Sequence, residues 1–416
     1  MPPMLVWPRR AALPVIILGV LLLMLRRPEG VWQSTIWAED GRVFWAAALQ
    51  PGVDLSTTYA AQLWMAQRLA AQAVVIAPPD WAPPMLYGAA CLIAVLAIAT
   101  VLQRRARVLF GQFRYQLLAF LLVLMLPTAW EVQGNLTNIQ LWLGVGMLIV
   151  LVLPAPVSVV GRVSELAFVL LAGLTGFLGV LLSPVAAWAL VARRGRYVSA
   201  RSALVMVAAA CNIYVWLGAG RAAQEGSFTR LARLPETLLF RWGGGALLGE
   251  FPLRDYAGGR RYVLLLAAVF LCLVLAAVWR DRRGPSVVWL LPALLWGVLA
   301  ILSPTGAVGD SWMFDPSAHW RYFALGVASC VLVLVRAVGT SAVRWPFWLA
   351  LAACAPALLV GARLPAMGPA LPPDELRSFA RCLEVPGAVC ELAIAPEGWV
   401  VVVVNPQDHS ALVTQS

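Results

Sequence analysis

The chain has 416 residues, of which 61% are apolar and only 12% are charged, and its formal net charge is +11. Its mean hydropathy of +0.81 excludes a water-soluble protein and is typical of an integral membrane protein. All 31 basic residues are arginine. We interpret this charge as a signal of membrane topology, and we expect no nucleic-acid partner.

The apolar stretches predict an all-α polytopic protein with about eleven transmembrane helices, because one crossing needs roughly 20 residues. The first stretch is followed by the sequence RRPE at 26–29 rather than by a small-residue cleavage site. We therefore expect an uncleaved first span and a cytoplasmic N-terminus. Gly179 and Pro184 predict a bent hairpin. The predicted spans are residues 11–25, 84–102, 116–130, 139–153, 163–177, 179–192, 198–217, 262–279, 287–303, 322–335 and 345–361.

Residues 59–77 are predicted to lie at the membrane interface or in a re-entrant loop. Gln62, Gln67, Arg68 and Gln72 interrupt this stretch, and such side chains are costly at the bilayer centre. The amphipathic pattern of the stretch is weak, so a true span is the alternative.

With these spans, the short inner loops carry many arginines and the outer loops carry nearly all of the acidic residues. The C-terminus is then extracytoplasmic. We expect a transmembrane domain over residues 1–362 and a small extracytoplasmic segment over residues 363–416. The expected outer loops are residues 26–82, 131–138, 218–261 and 304–320.

The C-terminal segment has two features that predict an ordered structure. Cys382 and Cys390 lie eight residues apart across a Pro-Gly turn, which favours a disulfide in an oxidising compartment. Two unpaired thiols are the alternative. The run of valines within 399–404 predicts a strand, because it is β-branched and too short to cross a membrane.

Two adjacent carboxylates, Glu39 and Asp40, follow the first span between aromatic residues. Desolvation by Trp37, Phe44 and Trp45 would raise their basicity, and a basic carboxylate can deprotonate a hydroxyl group. The alternative is that Asp40 only caps the helix that follows.

A second polar group, at 131–140, combines Glu131 with the amides of Asn135, Asn138 and Gln140. These side chains either satisfy exposed helix ends or contact a polyol.

A third group, HWRYF at 319–323, places His319 and Arg321 where an outer loop enters a late span. The guanidinium can bind a lipid-linked phosphate with two hydrogen bonds, with His319 as a second donor. The alternative is an anchor in the interfacial aromatic belt. Arg241 is a further candidate for substrate binding. No His or Cys spacing predicts a metal site.

This combination of features resembles the GT-C superfamily of polytopic glycosyltransferases, in a bacterial branch. The resemblance depends on one N-terminal span, a large outer loop with the acids of WAEDGRVF, the HWRYF sequence and the late sequence CEL...PEGWVV. It implies a GT-C-like fold and transfer of a sugar from a polyprenyl-phosphate carrier. The transfer would take place on the outer face of the bacterial cytoplasmic membrane, to a glycan, lipid or protein acceptor.

The resemblance also implies roles for single residues. Asp40 or Glu39, with Asp40 preferred, would be the general base or would bind a divalent cation such as Mg or Mn. Arg321 would stabilise the departing phosphate, and Asp40→Asn would abolish transfer without unfolding the protein. Relatives with two spaced acids differ from this chain, where Asp310 or Asp315 would have to supply the second one.

Two other classes of function are the alternatives. A multispan transporter or lipid-linked sugar flippase would show charges or broken helices near the midplane and internal repeats. A non-catalytic protein of envelope assembly would explain the C-terminal segment but not the polar residues of the outer loops.

Overall fold

The computed structural model describes residues 12–33, 35–50, 54–192, 195–219, 232, 234–250, 260–282, 284–302 and 320–404. In chain order the α-helices are α1 (Ala12–Arg26), α2 (Glu29–Trp32), α3 (Ala46–Leu49), α4 (Met65–Val74), α5 (Ala82–Ile98), α6 (Arg107–Phe110), α7 (Phe113–Leu124), α8 (Ile139–Val152), α9 (Val159–Gly173), α10 (Leu178–Ala192), α11 (Arg196–Gly218), α12 (Leu234–Leu238), α13 (Gly245–Leu248), α14 (Arg260–Arg280), α15 (Pro285–Leu302), α16 (Ala324–Thr340), α17 (Trp345–Ala353), α18 (Ala355–Val360) and α19 (Pro373–Leu383). The strands are β1 (Val389–Ile394) and β2 (Trp399–Val404). Short π-helical turns lie at Asp40–Trp45 and Leu239–Gly244, and a 3-10 turn lies at Trp320–Tyr322.

Each of the eleven predicted spans overlaps at least one of these helices. Within the described residues, four helical stretches are long and apolar enough to cross a membrane. A fifth qualifies if two neighbouring helical stretches, Arg104–Phe110 and Phe113–Leu124, form one span, although they are bent by 86° relative to each other. Five further apolar helices are shorter, at 10–17 residues. The prediction of a mostly helical protein with several apolar, membrane-type helices is confirmed. The number of eleven transmembrane spans stays a prediction. The four stretches are Pro79–Leu102, Arg196–Gly218, Arg261–Arg280 and Pro285–Leu302.

The helix within 59–77, α4, is ten residues long and therefore only about 15 Å in length. It is too short for a hydrocarbon core of about 30 Å. The chain just before it packs against the turn that follows α9. There the Leu63 carbonyl accepts a hydrogen bond from the Gly176 N–H (2.6 Å), and the Leu63 N–H donates to Asn212 (3.3 Å). This docking agrees with a segment that does not span.

The predicted bend between two short spans lies at residues 174–177, between α9 and α10. Gly176 has a φ of +61° there, a backbone conformation that favours glycine. Pro184 lies inside α10 rather than at the bend, so the proline did not mark where the chain turns.

The C-terminal segment is a helix followed by a hairpin, and it packs on the beginning of the chain. β1 and β2 pair in antiparallel register, with Cys390 opposite Val403, and a disulfide joins Cys390 to Cys382 in α19. Beyond β1, the Ala395 carbonyl accepts from the Ala38 N–H at 2.5 Å. The Phe379 ring of α19 lies 5.5 Å from that of Trp45. The segment therefore shares its core with the loop that carries Glu39 and Asp40.

We expect loss of the disulfide to destabilise this segment by about 2–3 kcal/mol, because a cross-link restricts the unfolded chain. The measurement compares the melting temperature of the wild type and of the Cys382→Ser/Cys390→Ser variant, each with and without a phosphine reductant. The reductant should lower the wild-type value to that of the variant and leave the variant unchanged. Equal melting temperatures in all four samples would contradict the expectation.

Two acids that follow or lie within the predicted spans, Asp281 and Glu165, are paired with arginines. Glu165 of α9 contacts Arg105 and Arg201, the latter at 2.9 Å, and Asp281 accepts from Arg336 at 2.8 Å. Glu165 and Arg201 are buried, so the pairing compensates charges that would otherwise be costly in an apolar environment.

Candidate functional site

Asp40 is a buried carboxylate whose two oxygens are both held by another loop. Its Oδ2 accepts from the Leu136 N–H at 2.7 Å, and its Oδ1 accepts from the N–H and the hydroxyl of Thr137 at 2.8 and 2.6 Å. The residue is 3% exposed. Because these partners lie almost a hundred residues away, Asp40 joins its own loop, within residues 26–82, to the loop at residues 131–138. The alternative role as a helix cap is wrong.

The environment of Asp40 favours its protonated form. Burial raises the pKa of the carboxyl to about 7, although the hydrogen bonds from Thr137 and Leu136 act in the opposite direction. An acid with a pKa near 7 exchanges protons readily at neutral pH.

A narrow cavity of about 20 Å³ beside Asp40 has room for one water molecule. Gly134 lines it with a φ of +77°, and a Cβ at this position would lie 2.1 Å from the Tyr87 ring. Only glycine fits this turn, which presents the N–H groups of the following residues to Asp40.

The amides of the second loop hold the loop itself together. The Asn135 side chain donates to the Glu131 carbonyl (2.7 Å) and accepts from the Asn138 N–H (2.9 Å). The Asn138 side chain donates to the same Glu131 carbonyl at 2.8 Å. These contacts support the interpretation that the two asparagines satisfy backbone groups before α8. Their predicted role in substrate binding stays untested.

Arg321 meets two acids from distant parts of the chain. Its backbone N–H donates to the Glu131 carboxylate at 2.9 Å, and its guanidinium contacts the Tyr322 hydroxyl at 3.5 Å. Burial lowers the pKa of Arg321, but Tyr322, Glu131 and Glu39 raise it, and the net result is a raised pKa. Glu39 is therefore within electrostatic range of Arg321, and both residues are half-buried.

Of the other predicted site residues, one lies near Arg321, one lies at a different turn, and three are not among the described residues. The buried Arg241 stacks over the ring of Phe323 at 5.2 Å, and Phe323 follows Arg321 by two residues in the chain. Gln140 is half-buried and faces Gly176 at the turn between α9 and α10 instead. His319, Asp310 and Asp315 lie outside the described residues.

Sequence reasoning missed the role of Arg27 and the pairing of two tryptophans. The rings of Trp37 and Trp130 lie 6.2 Å apart, edge to face. Arg27 is buried, and it donates to the carbonyls of Trp130 (2.6 Å) and Gln133 (2.5 Å). The arginine pair directly after the first span was the signal available, because a cation at a helix C-terminus can bind free carbonyls.

The residues around Asp40 do not suit a divalent cation. Three hydrogen-bond donors point at its carboxylate, whereas Mg²⁺ and Mn²⁺ bind oxygen ligands whose lone pairs face the ion. In the described ranges, no three His, Cys, Asp or Glu side chains come close enough together to form a metal site.

The pKa of Asp40 predicts how stability changes with pH. Because the folded-state pKa of about 7 exceeds the ordinary aspartate value of about 4, the ionised form opposes folding. This destabilisation is absent below about pH 4, grows as the pH rises and is complete above about pH 7. We expect the wild type to lose more thermal stability across this window than Asp40→Asn, which does not ionise.

Melting temperatures between pH 4 and 8 test this expectation, with Asp374→Asn as the control. Asp374 is exposed on α19, so its removal should leave the pH dependence unchanged. Parallel curves for the wild type and Asp40→Asn would show that Asp40 does not titrate in this range.

Comparison with known proteins gives one structural similarity and no match in sequence. No family model matches the sequence, and no similar sequence was found among curated proteins. Among solved structures, the oligosaccharyltransferase of Archaeoglobus fulgidus, in complex with Zn and sulfate, aligns with a TM-score of 0.39 and 13% identity. The alignment covers 84% of this chain and 52% of the archaeal one, so the chain spans about half of that enzyme's length. A similarity of this size does not define a family or an activity.

Proposed function

We propose that this protein is a membrane glycosyltransferase that moves a sugar from a polyprenyl-phosphate carrier to a glycan, lipid or protein acceptor of the cell envelope. One observation carries the proposal: the Glu39 carboxylate acts electrostatically on the Arg321 guanidinium, while the backbone N–H of Arg321 donates to the Glu131 carboxylate. A carboxylate base and a phosphate-binding cation therefore lie close enough to interact. We place this site on the extracytoplasmic face of the bacterial cytoplasmic membrane.

In the proposed reaction, the acceptor hydroxyl oxygen attacks the anomeric carbon of the donor sugar. The bond from that carbon to the phosphate oxygen breaks, and its electron pair leaves with the lipid phosphate. The hydroxyl proton passes to a carboxylate. Arg321 stabilises the negative charge that develops on the phosphate.

We assign the proton acceptor to Glu39 and a positioning role to Asp40. The half-buried Glu39 acts electrostatically on Arg321, whereas both oxygens of the buried Asp40 are taken by donors from Leu136 and Thr137. The earlier preference for Asp40 came from sequence alone, and the hydrogen bonds favour an exchange of roles between the neighbours.

The guanidinium of Arg321 retains donors for a phosphate. Within the described residues its side chain donates to Tyr322 alone, at 3.5 Å, and lies over the same ring at 5.1 Å. An arginine has five N–H donors, which suit the oxygens of a phosphate.

The test incubates membranes that contain the protein with a panel of radiolabelled polyprenyl-phosphate sugars. We expect label to move to a new acceptor with the wild type, and transfer to fall at least tenfold with Arg321→Gln. The matched control is Arg363→Gln, because this arginine is mostly exposed and, among the described residues, its side chain pairs with Glu29 alone. No transfer with any donor would contradict the proposal, as would full activity of Arg321→Gln. Movement of intact donor across sealed vesicles, without transfer, would indicate a flippase instead.

A further inference from the structure

A second polar cavity lies between the turn from α14 to α15 and the turn from α16 to α17. Its volume is about 480 Å³, which is within the usual range for small-ligand sites. None of the residues proposed for glycosyl transfer contributes to it. Its polar lining consists of Arg280, Asp281, Ser286, Arg336, Thr340 and Ser341.

An ion pair builds one wall of this cavity. Arg336 donates to both oxygens of Asp281, at 2.8 and 3.0 Å, and also to the Leu109 carbonyl at 2.5 Å. Asp281 accepts in addition from the hydroxyl of Ser286 at 2.6 Å. These contacts fix the two turns relative to each other and neutralise both charges of the pair.

Two further arginines keep their positive charge at the mouth of the cavity. Arg280 makes one long hydrogen bond, to the Val343 carbonyl at 3.4 Å, and lies over the Phe347 ring. Arg282 lies over the Trp279 ring at 5.5 Å, and both arginines line an adjoining opening of about 420 Å³. Both are exposed, so most of their N–H donors are available to an anion.

Exposed tryptophans on both turns indicate where the cavity lies relative to the membrane. Trp279 at the end of α14 and Trp345 at the start of α17 are 71% and 66% exposed. Tryptophan is enriched at the level of lipid headgroups. α14 and α15, which meet at the cavity, each lie in a stretch long and apolar enough to cross a membrane.

We propose that this cavity binds the phosphate of an anionic phospholipid headgroup. The ion pair of Asp281 and Arg336 forms the rigid wall, and Arg280 and Arg282 donate to the phosphate oxygens. Basic pockets between transmembrane helices bind anionic headgroups by the same chemistry. The site is independent of the proposed glycosyl transfer, and it lies on the side that we expect to be cytoplasmic.

The experiment uses the full chain purified in a neutral detergent. Short-chain phosphatidylglycerol, short-chain phosphatidylcholine and inorganic phosphate are titrated separately, and bound ligand is counted by native mass spectrometry. Arg280→Gln removes one of the two cationic side chains at the mouth of the cavity. Ala342→Trp fills the cavity without a change of charge, because Ala342 is an exposed lining residue. Arg381→Gln is the control, because Arg381 is an exposed residue of α19 far from the cavity in sequence.

We expect phosphatidylglycerol to bind at least tenfold more tightly than phosphatidylcholine, and Arg280→Gln and Ala342→Trp each to weaken it about tenfold. Arg381→Gln should bind as the wild type does. If inorganic phosphate binds as tightly and loses affinity in the same two variants, the cavity is an anion site for a soluble phosphate. Absence of binding, or equal binding by the wild type and both cavity variants, would overturn the proposal.

Discussion

Glu39→Gln is expected to lower the rate of sugar transfer at least 100-fold and to leave the melting temperature unchanged. Glutamine has the shape of glutamate but cannot accept the hydroxyl proton, and general-base catalysis typically contributes about 10²–10⁴-fold. The side chain is half-buried and glutamine has the same size, so the substitution should leave the packing around residue 39 unchanged. Because Glu39 opposes the charge of Arg321, its removal should not weaken binding of the phosphate. The loss should therefore appear in kcat and not in KM for the lipid donor.

The matched control is Glu375→Gln, since this exposed acid on α19 lies outside the site. A comparison with Asp40→Asn separates the two neighbouring carboxylates. We expect Asp40→Asn to lose thermal stability near pH 5, because its NH₂ group would meet the N–H of Leu136 or Thr137. If Glu39→Gln retains full activity while a well-folded Asp40→Asn does not, Asp40 is the base.

Arg26→Met should destabilise the protein so strongly that little folded material accumulates. The Arg26 guanidinium is 1% exposed and donates to four acceptors from three parts of the chain. These are the carbonyls of Gly361 (2.9 Å), Leu124 (2.7 Å) and Leu126 (2.9 Å) and the side chain of Gln133 (2.8 Å). Each buried acceptor left without a donor costs about 1–3 kcal/mol. The sum is comparable with the total stability of a typical domain, about 5–15 kcal/mol.

The measurement is the yield of monodisperse protein after detergent extraction, followed by the melting temperature of what is recovered. Arg162→Gln is the control, because this arginine is exposed and its side chain, within the part of the chain that the structure describes, donates to the Pro156 carbonyl alone. Arg26→Lys keeps the charge but has three donors instead of five, so its loss should be intermediate. A wild-type melting temperature for Arg26→Met would show that the helices hold this region without the guanidinium.

The sequence predicted which residues form the candidate site, but it did not predict which residues they contact. Glu39, Glu131 and Arg321 were recognisable because charged side chains next to apolar spans are costly without a role. Arg321 meets Glu131 across 190 residues, and Thr137 donates to Asp40. Both contacts depend on how the helices pack. No local pattern encodes such distances.

By itself, the sequence determined that the chain is a mostly helical membrane protein, because apolar stretches must satisfy their backbone within helices. It also determined the strand in the C-terminal segment, since a run of valines suits a pleated backbone. Only the tertiary structure decided that Ala395 pairs with the backbone at Ile36 and Ala38, next to the acidic pair. It also decided which of the two acids is held by another loop. Both outcomes depend on contacts between segments far apart in the chain, and the energy of such a contact depends on both surfaces together.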